Sequence, residues 1–73
     1  MIDDDLLMGL EMTARAERKA GFNGYCKPPE TVLYAIGRLV SAGFAQEHRH
    51  QPGWFRPTRA GADRVGHRIH AVQ

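Results

Sequence analysis

Apolar positions along this chain fall into blocks set apart by glycine and proline. Residues 3–20 open on Asp3, Asp4 and Asp5 and then carry Leu6, Leu7 and Leu10, with Met8, Met12, Ala14, Ala16 and Ala20 around them. Acids suit the positive end of a helix dipole, and Arg15, Arg18 and Lys19 suit the negative end. The pattern therefore predicts a helix over 3–20 that Gly21 stops. Its apolar residues cover more than a narrow stripe, which serves a broad core face or a contact with a second copy, core being the simpler use.

Residues 30–43 space Val32, Leu33, Ile36, Leu39 and Val40 for one buried helical face. Thr31, Tyr34, Arg38 and Ser41, at steps of three and four, then line up on solvent. Pro29 fits the first helical position, where its missing amide costs nothing, and Gly43 fits the left-handed stop. Two short strands follow, about Phe44–Arg49 and Trp54–Arg56, joined at Pro52-Gly53, where Pro presets φ and Gly supplies φ > 0. Phe44 and Phe55 should point inward, Arg56 should share a face with Trp54, and Trp54 reads as a partly buried anchor. Thr58 suits the N-cap of a last helix. In that helix Ala62, Val65, Ile69 and Val72 form the buried stripe, and Gly61 and Gly66 permit close backbone approach.

Helix, hairpin and helix in this order are what a winged helix needs. The linker Phe22–Pro29 contains Gly24 and a proline pair, which leaves at most one turn around Phe22–Cys26 for a second helix. Phe22 and Tyr25 then read as core or lid residues over the first helix. The runs LVSAGFA and GWFRPTRAGADRV resemble the winged helix-turn-helix DNA-binding domains of bacterial regulators of the MarR and PadR kind. Pro57-Thr58-Arg59-Ala60-Gly61 stands at that family's Leu-Thr-x-x-Gly step, with Pro in place of Leu. The resemblance covers residues 28 to 66. It implies a small α+β winged helix, with three helices, a two-stranded hairpin wing and a degenerate second helix, in one domain over 1–73. It also implies a bacterial or phage transcriptional regulator that binds double-stranded DNA, with helix 30–43 in the major groove and hairpin 44–56 as wing.

Charge refines this picture. Residues 1–30 hold six acids against four bases, whereas residues 31–73 hold six arginines and four histidines against Glu47 and Asp63. The wing and last helix form the basic end, suited to phosphate. On a duplex, Thr31, Tyr34, Arg38 and Ser41 would face the groove, and Arg38 can donate two bonds to a guanine edge. Lys27 and Arg59 are phosphate-contact candidates, and Arg49 and Arg56 belong to the wing. A second reading makes the same fold a protein-protein interaction module, an adaptor or inhibitor of a nucleic-acid-processing complex; the truncated linker and acidic first helix favour it.

Other chemistry is sparse. His48-x-His50 and His67-x-x-His70, with Cys26, are the only candidate metal constellation, and a structural zinc site normally shows paired cysteines. The histidines read as surface positions, so no metal and no cofactor is expected. No nucleophile has an evident base partner and no glycine-rich phosphate loop follows a strand, so an enzyme is not expected. A lone Cys26, no apolar run near the ~20 residues of a membrane span, and an acidic start fit a cytoplasmic protein. A core this small supplies only about 3–5 kcal/mol, which makes a homodimer through the first or last helix plausible.

Overall fold

The structure, a computed structural model, describes residues 3–72, with side chains through Ile69. Three helices and a two-stranded antiparallel sheet build a small α+β winged-helix-like fold. Helix α1 spans Asp4–Ala20. Asp3 caps it by accepting the Leu6 N–H at 2.9 Å, and Gly21 closes it at φ 93°. A 3-10 turn, Glu30–Val32, leads into α2, Leu33–Ser41. Strands β1, Ala45–Glu47, and β2, Phe55–Pro57, pair with Gln46 opposite Arg56. Helix α3 spans Arg59–Val72. The expected stripe residue Val72 and the metal candidate His70 have side chains outside the described residues.

The core sits where α1 and α3 pack together and α2 and β2 close the ends. Leu7, Leu10, Ala14, Ile36, Leu39, Ala45, Phe55, Val65 and Ile69 are buried there. Each aliphatic side chain taken fully out of water stabilises the fold by about 1.5–3 kcal/mol. One charged residue joins them: Glu11 is 2% exposed. Arg18, two turns along the same helix, donates to its Oε1 at 3.1 Å, which supplies the partner a buried carboxylate requires.

Several expectations are corrected. The helix expected over 30–43 is α-helical only from Leu33 to Ser41. Pro29 precedes its 3-10 start in extended conformation (φ −64°, ψ 153°) instead of filling the first helical position. Of the five expected core residues on this helix, Ile36 and Leu39 are buried, Val32 is half-buried, and Leu33 and Val40 are each 37% exposed. Both strands are three residues long and start one residue later than expected. Phe22, expected as core or lid, is 58% exposed, and Met12 is 53% exposed, so the surplus apolar surface of α1 is not all core.

The linker holds a feature the pattern did not disclose. Cys26 and Phe55 exchange both backbone hydrogen bonds, each 2.8 Å. This single bridge ties the linker to the outer edge of β2, opposite β1. The crossing between α3 and the loop after α2 is tighter still. Thr58 accepts the Gly61 N–H at 3.1 Å, as an N-cap should, and donates its hydroxyl to the Gly43 carbonyl at 2.6 Å. Its own N–H donates to the Phe44 carbonyl at 3.0 Å. Gly61 lies directly over that carbonyl, where a Cβ would overlap the oxygen. Gly66, also expected at a close approach, has only Arg15 Nη2 at 4.0 Å from such a Cβ, so it meets no backbone.

Candidate nucleic-acid interface

The outward side of α2 follows from its inward side. Ile36 and Leu39 fix the helix on the core, and the 3.6-residue repeat then turns Tyr34, Arg38 and Ser41 outward, while Thr31 lies in the 3-10 turn before α2. All four are exposed, Tyr34 to 82%. Gly37 lies among them with nothing within 4 Å of where a Cβ would be, so the face is slim. Leu33 and Val40 border one edge of it as partly exposed apolar positions.

The remaining candidates are distributed over other elements. Arg49 is exposed at the wing tip. The turn beneath it is built as expected: Trp54 N–H donates to the Gln51 carbonyl at 3.2 Å, with Gly53 at φ 89°. Glu47 accepts the Gly53 N–H at 2.9 Å, so this acid is drawn into the turn. His48 Nδ1 accepts the His50 N–H at 3.0 Å. Lys27 is exposed and borders an apolar groove with Asp5, Leu6, Pro29 and Val32.

Arg56 has internal work. It lies on β2, which packs against α1, whereas α2 packs against β1. Its Nη1 donates to the Asn23 carbonyl at 3.1 Å, and its guanidinium stands 4.7 Å from the Tyr25 ring centroid. With its carbonyl turned toward Arg56, the Gln46 amide accepts from Nε at 2.7 Å and Nη2 at 3.1 Å. Arg59, in the first turn of α3, borders a small polar cleft together with Glu11, Arg18 and Arg56. The structure thus gathers Tyr34, Arg38 and Ser41 on α2, leaves Thr31 in the 3-10 turn before it, and brings Arg56 and Arg59 together beside α1.

The basic end is less basic than its composition. Arg64 pairs with Asp4 through Nε at 2.6 Å, and Arg68 reaches Asp5 at 3.4 Å. The hydrogen bond from Arg64 holds the Asp4 carboxyl below its ordinary value of 3.8 and raises Arg64 in turn. These contacts span about sixty residues of chain, so block counts of charge could not reveal them. Burial pushes the Cys26 thiol above its ordinary 9.0, with Glu17 adding to the shift, which keeps it protonated at neutral pH. Among the described residues no group of three or more His, Cys, Asp or Glu is arranged to hold a metal ion. Nor is any helix among them long and apolar enough to cross a membrane. No protein family, curated protein or solved structure matches this chain.

Proposed function

We propose that this protein binds double-stranded DNA, with α2 entering the major groove and the β1–β2 hairpin acting as wing, and that it serves as a transcriptional regulator. The observation that carries the reading is the outward face of α2. Tyr34, Arg38 and Ser41 are exposed on a helix whose other side is anchored by Ile36 and Leu39, and Thr31 is exposed in the 3-10 turn that leads into it. The missing side chain at Gly37 suits close approach to a groove. Hydroxyls and a guanidinium are groups that read base edges and phosphates. Arg49 at the exposed wing tip supplies a backbone contact. A cytoplasmic location goes with this role, and a palindromic site would call for a homodimer through α1 or α3.

The experiment is binding to a mixed duplex pool by fluorescence anisotropy at several salt concentrations. Binding should weaken steeply with salt. Arg38→Ala should cost about 1–3 kcal/mol on a selected site and relax its sequence preference. Absence of binding at low salt would overturn the proposal.

One observation favours a second reading, a protein-protein interaction module. Leu33 and Val40, each 37% exposed and seven residues apart on one side of α2, add an apolar strip beside Gly37, and the linker supplies a turn instead of a helix to position α2. In that case Leu33→Ser and Val40→Ser would abolish partner capture while Arg38→Ala left any DNA behaviour unchanged.

A further inference from the structure

One face of α1 is turned away from the core. Asp5, Gly9, Met12, Ala16 and Lys19 are all exposed, and they follow one another at alternating steps of four and three, the spacing of a helix-pairing seam. They lie on the far side of the helix from Leu7, Leu10 and Ala14, which are buried. Met12, 53% exposed, stands at the centre of the seam with Gly9, Thr13 and Ala16 around it. Glycine is the poorest helix former after proline, and nothing lies within 4 Å of where the Gly9 Cβ would be. No packing inside the chain accounts for it. Thr13 Oγ1 donates to the Gly9 carbonyl at 2.9 Å, so its hydroxyl needs no further partner. Gly9 and Thr13 also line an apolar groove of about 380 Å³ with Leu6, Pro29 and Val32, which widens the apolar face beyond the helix.

The seam is complementary to itself. Gly9, Met12, Thr13 and Ala16 stand at the i, i+3, i+4 and i+7 corners of a hole that receives one side chain from a facing helix, and all but Met12 are small. Methionine, unbranched and adaptable, suits such a hole, and Met12 is the side chain this face itself offers. Charge then selects the direction. Asp5 stands near the start of the seam and Lys19 near its end. Two copies set antiparallel about Met12 place Asp5 of each against Lys19 of the other, and their helix dipoles oppose favourably. Parallel copies would set like charges against each other. Asp5 is 85% exposed although one oxygen reaches Arg68 at 3.4 Å, and Lys19 makes no ion pair among the described residues.

We propose that this protein self-associates through the outer face of α1, as an antiparallel two-fold dimer in which Met12 of each copy seats between Gly9, Thr13 and Ala16 of the other. A contact built on one 17-residue helix from each copy sits at the low end of specific interfaces, below about 1,200 Å². The dimer is therefore weak and dissociates on dilution. Its face belongs to a different helix from the outward face of α2, and it forms without DNA, so it stands apart from the duplex reading.

Sedimentation equilibrium of the full chain, from micromolar to millimolar concentration, reads the association directly. The mass should rise from 8.2 kDa toward twice that value. Met12→Glu sets two carboxylates together at the two-fold and should abolish the rise, with circular dichroism unchanged because the side chain is exposed. Gly9→Gln fills the hole. It should weaken the dimer while raising the urea midpoint of the dilute monomer, since glutamine is the better helix former; a residue with only an internal role would not move the two in opposite directions. Asp5→Lys or Lys19→Asp alone should weaken association about two- to thirty-fold, the range for two exposed ion pairs. The two exchanges together should restore it. A parent that stays monomeric at millimolar concentration, or a Met12→Glu variant that associates like the parent, overturns the proposal. Failure of the double exchange to restore association overturns the antiparallel arrangement. A protein that dimerises in this way but does not bind duplex refutes only the major-groove role.

Discussion

Gly61→Ala is the substitution whose sign depends most on the fold. In an exposed helix, alanine is better than glycine by about 0.8–1.0 kcal/mol. At position 61 the added Cβ would overlap the Phe44 carbonyl oxygen and stand 2.9 Å from its carbon and 3.2 Å from its Cα. These are backbone atoms and cannot rotate aside, so α3 must lift away from residues 43–44. The lift strains two bonds that cross the same point, Thr58 Oγ1 to the Gly43 carbonyl and Thr58 N to the Phe44 carbonyl. Overpacking costs typically 1–3 kcal/mol, and each lost hydrogen bond adds about 1 kcal/mol. Against the propensity gain, a net loss of about 2–4 kcal/mol remains, close to the whole stability expected of so small a core. Gly66→Ala is the internal control. It sits on the same helix with only Arg15 Nη2 at 4.0 Å, and it should raise stability by up to about 1 kcal/mol. Urea unfolding of both variants, followed by Trp54 emission and circular dichroism, measures the contrast. If Gly61→Ala unfolds at the same or higher urea than the parent, the close crossing of α3 over Phe44 is wrong.

Arg18→Ala should destabilise the fold by about 1–3 kcal/mol, because it strips the buried Glu11 of the guanidinium that reaches it from the half-exposed Arg18. Adding Glu11→Gln should recover part of the loss in urea titrations, since the buried charge is then gone. Asp4→Asn should lower the thermal midpoint at pH 7. The Asp4 carboxyl is held below 3.8 by Arg64, so its contribution is present above that pH and is lost as pH falls through the lowered folded value. The difference from the parent should therefore close at strongly acid pH; a gap of equal size throughout would contradict an ionic role for the pair.

The parts that were readable from sequence are those written in local chemistry. Asp3 and Gly21 bracket α1, Pro52-Gly53 makes the hairpin turn, and Thr58 caps α3; each acts within a few residues of itself. The outward set on α2 was legible for the same reason, since periodicity alone separates Thr31, Tyr34, Arg38 and Ser41 from Ile36 and Leu39. What escaped depends on elements distant in sequence. Leu33 and Val40 fit the apolar pattern, but the space they would fill is not covered by another helix. Glu11 reads as a surface acid until α1 is packed against β2 and α3. Pairing of Asp4 and Asp5 with Arg64 and Arg68 removes much of the charge asymmetry that pointed to the last helix.

The packing of α1 against α3 also bears on how the chain comes into being. Synthesis delivers α1 first, and at roughly 5–20 residues per second several seconds pass before α3 follows. In that interval Leu7, Leu10 and Ala14 lack the helix that supplies Val65 and Ile69 to their core. A nascent chain stalled before residue 59 therefore presents a greasy, acid-tipped helix with nothing to close over it. Closure of the core must await emergence of the last helix from the ribosome.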